Sequence, residues 1–460
     1  MVWEHIAFVI DLRINILTSK IPTHPIMEKL VIDLRQDTPM WHFRPDEKGC
    51  CLRASEVKPK LDKFLTDKMD SDVEDEWKLK NQGDEKSIHL DYKMTFESIG
   101  EYTEIKGAFN KNKGIYAPFP LFFGNMGEGE KKKLIYYPDG IRMTIFSLHK
   151  DLVEKIDMYI CEFFACHSFG TRQSKGFGCF YPEKINEENI SEKLQCDNII
   201  KTLAQYKFEV NIKSNNEQFL ELFRGIDSFH KKIRSGINLR NFYFKSLMFS
   251  YAKEKNSNWD KPQIRHFFGL IDDNSYFKKQ YEKKCGQRDN KDGKKQVKQS
   301  DENCPRESMI EDYNTFGNSQ PYKFTKDKDG YIPLFRDALG LSGTQSWLYY
   351  NAEVNITDSQ TDKNKKVTRF KTPFLYRPVE NSNGSYTIYI IFDKDYREKL
   401  DKLKEVKFKI EANKIVNKNK EPINGCLKAK IYQDFDLIEY FNYIFSSKKL
   451  KLNLIKLQQP

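Results

Sequence analysis

Three glycines, two cations and an aromatic ring fall within the nine residues Gly170-Thr171-Arg172-Gln173-Ser174-Lys175-Gly176-Phe177-Gly178. Glycine lets backbone N–H groups approach phosphate oxygens closely and takes up positive φ without a steric penalty. Arg172 and Lys175 bring charge-assisted hydrogen bonds, and Phe177 offers a face on which a base can stack. A loop of this composition suits a polyanion. A plain Gly-rich turn with two solvated cations fits the same residues, so the surrounding elements must decide between the two.

Other chemistry is sparse. The chain has no Walker loop, no H-E-x-x-H, no G-x-S-x-G and no G-G-D-D-like polymerase pair. Cys161, Cys166 and His167 have a loosely metal-like spacing, but no fourth ligand is evident and two of them lie on an expected core helix, so neither metal nor cofactor is assigned. The nine cysteines (50, 51, 161, 166, 179, 196, 285, 304 and 426) are odd in number and lack any C-x-x-C pair, which fits reduced thiols in a cytoplasmic protein. No run of about eighteen apolar residues marks a membrane span.

Lysine and arginine outnumber aspartate and glutamate by 77 to 66, a net charge of +11 that favours an acidic partner, most often nucleic acid. Hydrophobic residues make up only 39%, yet aromatics reach 14%, which a disordered chain would lack. At 460 residues there is room for two or three domains.

The elements that must position the loop follow from periodicity. Residues 30–43 alternate Leu30, Ile32, Leu34 against Val31, Asp33, Arg35 as a half-buried strand does, ending at Thr38-Pro39. Ser55 caps a short expected helix that Pro59 bends or ends. Strands are expected at 92–96, 115–123 and 134–147, and a helix at 148–164 with Leu152, Ile156, Ile160 and Phe163 on one face. That helix delivers the chain into the Gly loop, after which 177–181 is extended and 206–212 alternates again. Helices are expected at 219–233, 242–255, 396–403 and 434–445, a helix-like piece at 333–339, and strands at 349–356, 369–379, 385–392 and 406–411.

This order predicts an α+β chain of two ferredoxin-like (RRM-like) units with insertions. The expected domains are an N-terminal extension over 1–26, with Met27 a possible natural start, a first domain over 27–218 carrying the Gly loop, and a second over 219–460. The second includes a mobile basic insertion at about 285–306.

With the loop placed after a helix and before a strand, the chain resembles the RAMP superfamily, the ferredoxin-like subunits of CRISPR RNA-guided complexes. Three segments carry the likeness. Phe169 to Gly178 resembles the superfamily's glycine-rich loop in its type III form, although sparser in arginine than the Gly-Gly-Arg-x-Arg-Arg version. Thr38-Pro39-Met40-Trp41-His42-Phe43 with Leu52-Arg53-Ala54-Ser55-Glu56-Val57-Lys58-Pro59-Lys60 resembles the opening strand and its Leu-Arg-x-Ser-x-Ile-Lys sequel. Arg369 to Pro378 resembles a later Ser-Pro strand, with Thr372 where serine is more usual.

The chain is most similar to the two-domain first subunit of the Cmr (type III-B) complex. That resemblance implies a non-catalytic subunit that holds guide RNA near its 3′ end and helps capture target RNA, beside other RAMP subunits and a polymerase-like large subunit. On this reading loop residues 170–178, together with Arg53, Lys58 and His42, contact RNA. Two alternatives remain open: a metal-independent guide-processing endoribonuclease using His42 or His167 as general acid or base, and a structural α+β protein without RNA function.

Overall fold

The computed structural model describes residues 27–41, 52–79, 88–110, 114–120, 133–189, 193–239, 242–270, 324–347, 350–360, 367, 369–417, 419–447 and 454–457. The expected N-terminal extension, the 285–306 insertion and His42 lie outside these residues. The chain divides into two compact units: the first holds Met1–Ile105, Lys132–Thr171 and Gly178–Ile199, the second Lys106–Lys131, Arg172–Phe177 and Ile200–Pro460.

The first unit runs β1 (Glu28–Gln36), α1 (Ala54–Met69), β2 (Lys93–Ser98), β3 (Ile141–Ser147), α2 (Lys150–Cys166) and β4 (Phe180–Ile185). Its strands lie in the order β4-β1-β3-β2, every pairing antiparallel, with a short strand Glu188–Asn189 outside β4. Two crossover helices link strands that are not neighbours, the split β-α-β plan. In β1 the alternation seen in sequence is the alternation of burial, with Leu30, Ile32, Leu34 and Gln36 inward. On the other face Asp33 stands opposite Arg142 and takes a two-point contact from it at 2.7 and 2.9 Å. α2 buries Leu152, Ile156, Ile160 and Phe163, the stripe its periodicity predicts.

α1 differs from expectation at its start. Arg53 is the N-cap, its carbonyl accepting from the N–H groups of Glu56 and Val57, and Ser55 lies inside the first turn. Pro59 sits within the helix, which continues ten residues beyond it to Met69. The buried stripe Val57, Leu61 and Leu65 holds the helix on its sheet across the one backbone bond that proline cannot make.

The second unit runs β5 (Tyr206–Val210), α3 (Gln218–Arg234), β6 (Ile332–Leu334), β7 (Thr344–Trp347), β8 (Ala352–Asp358), β9 (Phe374–Glu380), β10 (Tyr386–Phe392), β11 (Phe408–Val416), β12 (Asn419–Ile431), α4 (Leu437–Ser446) and β13 (Ile455–Lys456). One antiparallel sheet has the order β9-β10-β5-β13. Counting only β5, α3, β9, β10, α4 and β13, this repeats the strand order of the first unit. A second sheet, β6-β12-β11-β8-β7, is built from the intervening segments, with β6 parallel to β12. β10 is buried at every position, as a strand covered on both faces must be, and Pro378 is accommodated because β9 is the sheet's edge.

β5 pairs with β10 and β13 and so lies in the sheet of the second unit, within its Ile200–Pro460 segment.

The second unit also encloses an ionic cluster. Asp260 and Asp337 are fully buried; Arg336 lies 3.4 Å from Asp260 and 3.6 Å from Asp337, and Arg234 lies 3.7 Å from Asp337. Arg336 also donates to Gln345 Oε1, and Arg234 to the carbonyls of Arg336 and Gly340. The cluster ties α3 to the helix Asp260–Phe267 and to the 3-10 turn Arg336–Leu339, so polar groups are held where packing alone would exclude them.

Candidate nucleic-acid interface

The Gly loop is shaped by four left-handed residues: Gly170 (φ 77), Arg172 (φ 61), Gly176 (φ 82) and Gly178 (φ 65). Its two ends are fixed in the first unit. Gly170 N–H donates to Glu56 Oε1 at 2.8 Å, and a Cβ there would lie 2.6 Å from Met40 Cγ and 2.7 Å from the Trp41 carbonyl oxygen. Gly178 accepts from Phe169 N–H and donates to the Pro39 carbonyl, both at 2.9 Å, while Thr38 Oγ1 accepts from Cys179 N–H at 3.1 Å. The Thr38-Pro39 segment thus clips the far end of the loop onto the sheet.

Glu56 and Lys60, one turn apart on α1, brace the near end. Lys60 Nζ reaches the Ser168 carbonyl at 3.2 Å and lies 4.6 Å from the centre of the Phe169 ring. The sequence reading missed both residues, although they sit inside the 52–60 segment that carries the family likeness. Lys58 is placed differently from expectation: its Nζ bonds Asp62 at 2.9 Å and the Leu90 carbonyl at 2.7 Å, and it lies 3.9 Å from the Tyr92 ring centre. Arg53, the N-cap of α1, is half-buried. His167 is held by its own helix, with Nδ1 2.8 Å from the Phe163 carbonyl and its ring stacked on Phe163 at 4.6 Å. Among the described residues no group of three His, Cys, Asp or Glu is arranged to hold a metal, and no helix is long and apolar enough to cross a membrane.

The middle of the loop belongs to the second unit. Arg172 opens a single 3-10 turn, Gln173–Lys175, closed by the Lys175 N–H to Arg172 carbonyl bond at 2.8 Å. Lys175 is turned inward: Nζ donates to Thr372 Oγ1 at 2.9 Å and lies 3.0 Å from His230 Nε2, while His230 Nδ1 is 3.1 Å from the Tyr376 hydroxyl. Phe177 is fully buried and stacks face to face on Phe223 at 3.6 Å. Lys175 and Phe177, expected to meet phosphate and base, make these contacts within the second unit. Composition could not reveal this, because their partners lie on α3 and beside β9.

Thr171, Arg172, Gln173 and Lys175 are half-buried, the last with its amine turned inward, while Ser174 is buried. Burial pushes the Arg172 guanidinium down to about 10, against the pull of Asp227. It remains cationic at neutral pH and is the loop's best candidate for a phosphate.

Burial, then Arg234 and Arg172, hold the Lys175 amine well below its usual value; burial and Lys175 do the same to His230. Both groups therefore oppose folding as pH falls, Lys175 below about 10.4 and His230 below about 6.5, where the unfolded chain takes up the proton and the folded chain resists it. Lys175→Met should be more stable than the parent at pH 7 by on the order of 1 kcal/mol. Near pH 10.5 the order should invert, since only the lost hydrogen bonds then count. Urea melts at the two pH values check this; a pH-independent difference would refute it.

The family model described as the Cmr1 N-terminal domain matches residues 27–237, and that described as the Cmr1 C-terminal domain matches residues 243–458. No curated relative matches the chain. Among solved structures, the crystal structure of Cmr1 from Pyrococcus furiosus (apo form) is similar at 10% identity, covering 94% of this chain and 98% of that one with a TM-score of 0.31. A chain of the cryo-EM structure of the type III-B Cmr-beta bound to cognate target RNA is similar at 16% identity, covering 40% of this chain and 66% of that one with a TM-score of 0.24.

Proposed function

The chain belongs to the Cmr1 family of type III-B CRISPR RAMP subunits, and on that premise we propose that it is a non-catalytic RNA-binding subunit of a Cmr-like effector complex, holding guide RNA near its 3′ end and helping to capture target RNA. The observation that carries this reading is the succession of the two domain models along residues 27–458. Other RAMP subunits and a polymerase-like large subunit would be its neighbours in the assembly.

The geometry supports a role in positioning. The half-buried turn of the loop offers Arg172 and polar neighbours on a backbone pinned at both ends, a suitable contact for phosphates, which fix the path of a strand without reading its sequence. Sequence is then left to base pairing between guide and target. Arg172→Ala should weaken binding of single-stranded RNA several-fold and lower the slope of log K against log salt by roughly one counterion. Lys175→Met should leave both unchanged, because that amine faces Thr372 and His230. Salt titrations by fluorescence anisotropy distinguish the two. An unchanged slope in Arg172→Ala would remove the loop from the RNA site, and cleavage of repeat RNA by the isolated chain without metal would favour the nuclease instead.

A further inference from the structure

The second unit carries an exposed aromatic pair that the loop does not explain. Strands Phe109–Asn110 and Ile115–Tyr116 form a two-stranded antiparallel ladder that joins no larger sheet among the described residues. Phe109 and Tyr116 stand directly opposite each other on one face with ring centres 4.9 Å apart, yet they are 46% and 57% exposed; Ile115, on the other face, is 58% exposed. So small a hairpin gains little from its own contacts, and large apolar side chains left in water mark an interaction surface.

The charge around the pair names the partner. Between Glu104 and Glu128 the charged residues of the sequence are Lys106, Lys111 and Lys113, of which Lys106 is among the described residues. Lys106, at the foot of the hairpin, is exposed. Rings that offer flat faces, set in a stretch of purely positive charge, match the two surfaces of a single-stranded nucleic acid, its bases and its phosphates. An apolar protein partner would match only the rings.

The hairpin is also rooted beside the Gly loop. Gly107 N–H bonds the Ala117 carbonyl at 2.8 Å, and Phe119, buried just beyond the second strand, packs edge-on against Phe223 at 6.1 Å. Phe223 is the ring on which Phe177 of the loop stacks. One α3 side chain therefore seats both the loop and the hairpin.

We infer that the ladder of Phe109–Asn110 and Ile115–Tyr116 is a stacking platform for single-stranded RNA, with a base against the Phe109–Tyr116 pair and a neighbouring phosphate at Lys106. This rests on the RNA-binding reading and extends it to a second contact that works by stacking.

The test uses the full chain and a fluorescein-labelled oligouridine. Phe109→Ala/Tyr116→Ala should raise Kd roughly tenfold or more, as the loss of stacked bases does. The salt slope should stay at its wild-type value, since no cation is removed. Phe109→Trp/Tyr116→Trp should restore binding, and 4-thiouridine in the RNA should cross-link to the peptide containing Tyr116 only when the aromatic pair is intact. Both side chains are half in water, so the melting temperature of the alanine variant should match wild type and verify its fold. If wild type binds RNA and the alanine variant binds equally well, the platform is refuted while the RNA-binding reading stands. If the variant keeps its RNA affinity but loses co-purifying protein subunits, the hairpin is a protein dock and the inference is overturned. If wild type binds no single-stranded RNA, both fall.

Discussion

Gly178→Ala is expected to cost about 3–5 kcal/mol, lowering the melting temperature by roughly 10 °C. A Cβ at this position would lie 2.0 Å from the Phe169 carbonyl oxygen and 2.9 Å from its carbon, both backbone atoms that no rotamer change can move aside. The residue also sits at φ 65, where a side chain adds about 1–2 kcal/mol of its own. To relieve the clash the chain must open the two 2.9 Å bonds that join Gly178 to Phe169 and Pro39, each worth about 1 kcal/mol. Gly114→Ala is the control: its φ is 63, but nothing lies within 4 Å of the added carbon, so only the conformational penalty of about 1 kcal/mol applies. Thermal melts of the two variants separate crowding from conformation. Equal losses in both would mean that the approach to Phe169 does not constrain the loop.

Arg336→Met should be comparably damaging, about 3–5 kcal/mol, for an electrostatic reason. The substitution keeps most of the side-chain volume but strips Asp260 of the guanidinium 3.4 Å away and leaves Asp337 with Arg234 alone. Burial raises the Asp260 carboxyl above its ordinary value, and Arg336 is the largest influence drawing it back down. Without that arginine the carboxyl rises further. A carboxyl whose folded value is raised imposes no penalty below the unfolded value of about 4, one that grows as pH climbs from there to the folded value, and the full penalty above it. The variant should therefore lie closer to wild type at pH 5 than at pH 8. Adding Asp260→Asn and Asp337→Asn to Arg336→Met should recover much of the loss at pH 8. Urea denaturation at both pH values measures this, and a penalty equal at pH 5 and pH 8 would show that lost packing rather than stranded charge is responsible.

The parts of the fold that were legible in sequence are those where one face is wet and the other dry. β1 and α2 announce themselves through residues such as Ile32 and Ile156 recurring at strand and helix periods. β12 was not foreseen because its first eight residues, Asn419 to Cys426, contain no fully buried position and include Pro422 and Gly425, so its pattern reads as a loop. Its conformation comes from pairing with β11, which no local signal reveals. Residues 242–255 read as one helix because apolar residues run through it, but Ser246 interrupts them: its hydroxyl accepts the Phe249 N–H, capping Leu247–Glu254 and leaving Phe242–Phe244 as a strand. At 333–339 the apolar run is divided likewise between β6 and a 3-10 turn ending at Gly340.

The loop shows the same limit at the scale of a site. Its three glycines were legible as backbone devices, since each needs only its own φ and near neighbours to explain it. Lys175 and Phe177 were not, because the direction of a side chain depends on partners such as Thr372 and Phe223 that are remote in sequence. Of the hairpin aromatics, Tyr116 was read as part of an expected strand over 115–123, of which Ile115–Tyr116 alone is strand among the described residues, and Phe109 fell in no expected element.

That remoteness has a consequence for biogenesis. Lys175 and Thr372 are 197 residues apart in the chain. At ribosomal rates of about 5–20 residues per second, the loop leaves the ribosome roughly 10–40 s before its hydrogen-bond acceptor is synthesised. During that interval Lys175 lacks this acceptor, while the flanks of the loop, held by Pro39, Trp41 and Glu56, can already settle. The Lys175–Thr372 bond forms only after the translation of Thr372, so the turn carrying Arg172 gains its full set of contacts late in synthesis. Nascent chains arrested before residue 372 would carry the loop without its Lys175–Thr372 bond.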